Sequence, residues 1–144
     1  SFIFGDSKTV RPMCYISGMD MLYRPSENRL QQAVNQLLKN ADIAIEDVDA
    51  ILIGASGDSR YDFVYQDFCA QMFPNTPVAW YKHLFGESYT AAGLGVYTAA
   101  CCLQAQQIPS FLCYSENEAH KLHNILIYNH FQNKEHSLIL LSNV

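Results

Sequence analysis

The sequence predicts an α/β domain with a mixed sheet of about four to five strands and helices on both faces. Three observations carry that reading. Apolar runs of strand length alternate along the chain with segments of helical periodicity. One run, Ala50–Ile53, is apolar without interruption, as a strand covered on both faces is. The last two runs are separated by a short polar turn, which suits an antiparallel hairpin closing an otherwise parallel sheet.

Taken in order, Ser1–Asp6 is apolar but too short to assign. Pro12–Met19 reads as a strand, with Met21–Tyr23 extending it or forming its exit loop. Ser26 suits a helix N-cap. Behind it Leu30, Ala33, Val34, Leu37, Leu38 and Ala41 form one apolar stripe, so a helix runs to Asn40, with Glu27 and Lys39 placed as its dipole favours. Asp42–Val48 connects this helix to the strand Ala50–Ile53, which ends in the polar loop Gly54-Ala55-Ser56-Gly57-Asp58. Asp62–Phe73 has mixed helical spacing and stops before Pro74. Val78–Tyr81, bounded by Pro77 and Lys82-His83, is a short strand, and a loop with Gly86 and Glu87 follows it.

Tyr89–Gln107 consists mostly of small residues and has no polar face before Gln104. That pattern predicts a helix buried all round, the most buried element of the fold. A glycine inside a helix costs about 0.5–1 kcal/mol relative to alanine, so Gly93 and Gly95 imply that something packs close to the helix backbone. Pro109 ends the helix, Ser110–Tyr114 is irregular, and Asn124–Phe131 and Ser137–Ser142 are strands around the turn Gln132–Glu135. The expected order is β-α-β-α-β-α-β-β.

The 144 residues suit a single domain, residues 1–144, although a start without Met suggests a fragment or processed chain. Charged residues make up 16%, below the usual quarter, which points to a surface partly covered by a partner. A net charge of −5 argues against a nucleic-acid partner, because phosphate binding needs a basic face. No apolar run reaches the length of a membrane span and no signal peptide opens the chain, so a cytoplasmic protein is expected. The five cysteines lack Cys-x-x-Cys spacing and read as small buried residues of a reducing compartment, not as a zinc site. His120 and His123 read as a solvated pair; no metal and no cofactor is expected.

From Lys82 to Gly93 the residues Lys82, Gly86, Ala91, Ala92 and Gly93 follow the spacing K-x-x-x-G-x-x-x-x-A-A-G. This resembles the C-terminal half of β-ketoacyl-acyl-carrier-protein synthases, in which a Lys strand, a Gly-His loop and a Gly-Ala-Ala-Gly helix run through the centre of a thiolase-like fold. The order of further motifs agrees. Ile45-Glu46-Asp47-Val48-Asp49 matches the family's acidic connector, Gly54-Ala55-Ser56-Gly57-Asp58 lies where Asn-Ala-His-Gly-Thr would be, and Ile108-Pro109 matches the helix exit. Tyr128-Asn129-His130-Phe131 lies where Asn-Ser-Phe would be, without the glycine-rich loop that follows it in the family. The resemblance implies half of a thiolase-like fold.

It also implies a chemistry and its loss. In the family a cysteine of the N-terminal half takes the acyl group, and two histidines of the C-terminal half assist decarboxylation of a malonyl thioester. Here the histidine positions hold Ser56 and Glu87, while Lys82 is kept as an anchor. A hydroxyl is a poor proton carrier near neutral pH, and a carboxylate repels a developing enolate. Ser56, Lys82 and Glu87 are thus expected as relic site positions at the ends of neighbouring strands, with Lys82 and Glu87 as an ion pair filling the site. Asp58 would pair with Arg60 or Lys82, and Tyr61, Tyr65, Tyr81, Tyr89 and Tyr97 would lie around the site or in the core.

Two functions follow from the resemblance. The first is a non-catalytic partner of the chain-length-factor kind, in fatty acid or polyketide biosynthesis, which docks an N-terminal half-domain or an active synthase subunit as a homo- or hetero-oligomer, with acyl carrier protein a further partner. The second is an active acyltransferase whose nucleophile lies on an absent N-terminal half, with Ser56, His83 or Glu87 substituting. A plain assembly module is a third.

Overall fold

The computed structural model describes residues 12–88, 90–116 and 121–144. Five strands form one sheet: β1 (Tyr15–Tyr23), β2 (Ala50–Ile53), β3 (Val78–Trp80), β4 (Asn124–Phe131) and β5 (Glu135–Ser142). Their spatial order is β1-β5-β4-β2-β3. β2 is parallel to β3 and β4, whereas β5 is antiparallel to β4 and β1. The helices α1 (Glu27–Asn40) and α2 (Ser59–Met72) cover one face. The other face carries α4 (Ala91–Ala105), preceded by the single turn α3 (Lys82–Phe85). The expected mixed α/β sheet with helices on both faces is present.

The sequence pattern explains the layering. Ser26 Oγ accepts the Arg29 N–H at 3.3 Å and starts α1, whose stripe Leu30, Ala33, Val34, Leu37 and Leu38 is buried against the sheet. β4 alternates between the two cores. Leu126 and Tyr128 join the core under α1 and α2, and Ile125 and Ile127 join the core under α4. A strand covered on both faces keeps no polar side, hence its continuous apolar run.

Several expectations change. β1 continues through Met19 to Tyr23. α2 begins at Ser59, before the expected Asp62, because Asp58 caps it by accepting the Arg60 N–H at 3.1 Å. The loop after Lys82 opens with the one-turn helix α3. β5 begins at Glu135, so the turn is shorter than expected. The largest correction concerns the helix expected over Tyr89–Gln107. α4 is buried along one side only; Tyr97 is 49% exposed and Leu94, Val96 and Cys101 are half-buried. The fully buried element is β2. The sheet of this chain covers one side of α4 and no other described element covers the opposite side. The glycine expectation holds at Gly95, where an added Cβ would stand 2.9 Å from Tyr81 Cζ. Of the five free cysteines only Cys69 and Cys102 are buried, and Cys113 is exposed, against the expectation that all are core residues. Among the described residues no helix is long and apolar enough to cross a membrane, and no group of three or more His, Cys, Asp or Glu is placed to hold a metal. Ser1–Asp6, Tyr89 and His120 lie outside the described residues.

Candidate functional site

Parallel pairing brings the C-terminal ends of β2, β3 and β4 to one edge of the sheet, with Ile53 opposite both Trp80 and Tyr128. Sites of open α/β sheets form at such edges. Here the edge carries Gly54-Ala55-Ser56 after β2, Tyr81-Lys82 after β3 and the last residues of β4, Asn129 and His130.

Lys82 and Glu87 are joined as expected. The Lys82 side chain is 0% exposed, and its Nζ donates to both carboxylate oxygens of Glu87 at 2.8 Å, with the Glu87 side chain 44% exposed. Both lie at the edge where β3 ends, with α3 and Gly86 (φ 74°) carrying the chain from one to the other. Gly86 is the residue type that adopts this backbone without strain. Two tyrosines feel the pair: burial, and after it the Glu87 charge, raises the Tyr81 phenol well above its ordinary range, and burial does the same to Tyr65.

Ser56 does not join them. It is exposed, and no hydrogen bond connects it to Lys82 or Glu87 among the described residues. Its loop is instead tied to α2. The Ser56 N–H donates to Asp62 Oδ1 at 3.2 Å and the Gly57 N–H to Asp62 Oδ2 at 2.7 Å. Asp62→Ala removes both bonds, and a loss of about 1 kcal/mol in urea unfolding is expected. Asp58 pairs with Arg60 at 2.7 Å, and Lys82 with Glu87. His83 is exposed, stacks on Trp80 at 4.1 Å and is bonded through Nε2 to the Phe111 carbonyl at 2.8 Å.

Four residues at this edge have contacts that the sequence does not reveal. Tyr65 Oη accepts the His130 N–H at 2.9 Å and fastens the end of β4 to α2. Gly54 lets the end of β4 come close: an added Cβ there would stand 2.2 Å from Asn129 Oδ1. Tyr81 Oη and Asn129 Oδ1 are buried without hydrogen-bond partners among the described residues. Buried polar atoms of this kind are ordinarily paired, so each has room for a further partner beyond the described residues.

Residues 15–115 match the family model of the β-ketoacyl synthase C-terminal domain. The chain belongs to that family. Among solved structures, an oxazolomycin ketosynthase domain from Streptomyces albus superposes with a TM-score of 0.74 at 16% identity, over 93% of this chain and 46% of that one. The ishigamide ketosynthase/chain length factor gives 0.75 at 15% identity, over 93% and 39%. A type II polyketide acyl-carrier protein in complex with its hexaketide-bound ketosynthase gives 0.72 at 14% identity, over 92% and 39%. At these identities the likeness concerns the fold. The β-ketoacyl synthase C-terminal domain of this chain spans less than half the length of each of these relatives. No curated protein matches the sequence.

Proposed function

We propose that this chain, residues 1–144 as one domain, is a non-catalytic β-ketoacyl synthase homologue that works as the partner of a synthase half or subunit in polyketide or fatty acid assembly. The bidentate Lys82–Glu87 ion pair carries the reading. The sequence resemblance puts Glu87 where the family has a histidine. A histidine there donates a hydrogen bond to the enolate oxygen as carbon dioxide leaves, whereas a carboxylate offers lone pairs to a developing anion. Ser56, at the other histidine position, lies in a loop fixed by Asp62 and supplies no base. His83 is bonded to the Phe111 carbonyl.

The docking side is the open flank of α4 and the adjoining face of β1. Leu22 of β1 packs with the α1 core and Gly18 abuts Leu37, so the alternate residues Met19, Met21 and Tyr23 face the α4 side, where they are exposed. This apolar face suits an N-terminal half-domain or a synthase subunit. An acyl carrier protein would then meet the assembled pair. The test is release of carbon dioxide from malonyl-carrier protein with an N-terminal half supplied. Background rates are expected; turnover well above them would overturn the reading in favour of an active acyltransferase.

A further inference from the structure

The turn between β4 and β5 contains no glycine, yet Gln132 and Asn133 both take positive φ, 50° and 53°. Such a turn is costly for these residues and needs outside support. A buried histidine pair supplies it. His130 and His136 face each other across the hairpin, each 3% exposed, with ring centroids 5.3 Å apart. Tyr65 of α2 stacks on His130 at 4.3 Å, and the Asn133 N–H of the turn donates to His130 Nδ1 at 3.2 Å.

These contacts fix the tautomers. His130 Nδ1 accepts, so its proton is on Nε2. Tyr128 Oη and His136 Nδ1 share a hydrogen bond at 2.9 Å, and donation by the hydroxyl leaves fewer buried polar groups unpaired than donation by the ring. His136 therefore also carries its proton on Nε2. Both Nε2–H groups are buried without acceptors among the described residues. Metal ligation through Nε2 is excluded, because it would move the His130 proton to Nδ1, against the Asn133 N–H. A second proton on His130 displaces the Asn133 bond, because a backbone N–H cannot accept, whereas the Tyr128 hydroxyl can rotate and accept from a charged His136. The surroundings pull in opposite directions. Lys82 opposes a charge at His130, whereas the Tyr61 backbone beside His130 favours one, as do Asp67 of α2 and Glu27 of α1, which line a cleft of about 240 Å³ together with His136. Tyr65 and Tyr128 stay neutral, and Arg24, Lys134 and Glu135 are exposed around the turn. Burial, then His136, then Lys82 hold the His130 pKa down at about 4, and burial lowers that of His136.

We propose that the His130–His136 pair is an acid-released latch: the neutral rings hold the β4–β5 turn against α2, and their protonation frees it. The released rings have the carboxylates of the cleft beside them, and the freed turn uncovers the end of β4 at the Lys82 edge. This inference rests on the hairpin alone and stands whether or not the chain is catalytic. Both rings titrate lower in the closed form than when released, so the latch is fully closed above the ordinary histidine value of 6.5. It weakens as pH falls from there towards 4. The open population rises by up to about tenfold per pH unit for each histidine.

Hydrogen exchange on the purified full chain at pH 7.5 and pH 5, corrected for intrinsic rates, reads this directly. Protection at the Asn133 and Lys134 amides is expected to fall more than about tenfold, with β2 unchanged, and His136→Phe to flatten that dependence. Constant protection at the turn, or an equal loss in β2, overturns the latch. Should His136→Phe fail to fold, NMR titration of the wild-type rings decides. Rings that titrate at their ordinary value with the turn still protected overturn it, and titration in step with turn opening supports it.

Discussion

Glu87→Ala is expected to destabilise the chain by about 3 kcal/mol, the largest effect of any single change at the candidate site. The Lys82 ammonium is fully buried and its bonds are to the Glu87 carboxylate. Removing that partner leaves a charge in a low-dielectric site, and breaking such a pair costs about 3–5 kcal/mol. The lower end applies because Glu87 is 44% exposed, which lets water approach once it is gone. Lys82→Met combined with Glu87→Ala removes both charges, and most of the loss should return. Urea unfolding of the three proteins checks this. A Glu87→Ala loss below about 1 kcal/mol would mean that the ion pair does not stabilise the edge.

The second large effect is expected at Gly95. In an exposed helix, glycine to alanine gains about 0.5–1 kcal/mol. Here the new methyl would stand 2.9 Å from Cζ and 3.1 Å from Cε1 of Tyr81, a ring with 0% exposure. Overpacking of that kind costs about 1–3 kcal/mol and outweighs the helix gain. A net loss of about 1–2 kcal/mol follows. The sign should reverse in a Tyr81→Leu background, where the methyl fills space vacated by the ring. A Gly95→Ala protein more stable than wild type with Tyr81 intact would show that the ring is not a fixed wall.

The parts legible in the sequence are those whose signals are local. Ala50–Ile53 announced a strand buried on both faces, and Ser26 with the stripe from Leu30 announced α1, ending near Asn40. Glu87 beside Lys82 was legible as an ion pair because few residues separate them. What stayed hidden depends on distant partners. The polar start Ser59-Arg60-Tyr61 masked the first turn of α2, whose reason is the Asp58 cap. α4 looks the same in sequence whether its second side is covered by its own sheet or by another body, so its open flank could not be read. His130 and His136 pair only once the hairpin register is known, and a turn extended to Glu135 conceals that register. Ser56 was placed correctly on its loop, but the Asp62 bonds that turn it from Lys82 cross from a helix that was expected to start at that residue.

β1 has one further consequence. It pairs with β5 along one edge, and no described strand borders the other. Nine residues of backbone donors and acceptors thus stand at a sheet margin flanked by the exposed side chains of Met19, Met21 and Tyr23. No lysine or proline interrupts the strand, and its guards against strand addition are Asp20 and the register shift between Ile16 and Gly18. Produced alone, the chain is expected to associate with itself through β1. Its lifetime in a cell is then governed by how soon after synthesis that margin is capped, and yield on co-expression becomes a direct measure of whether a candidate subunit is the right one.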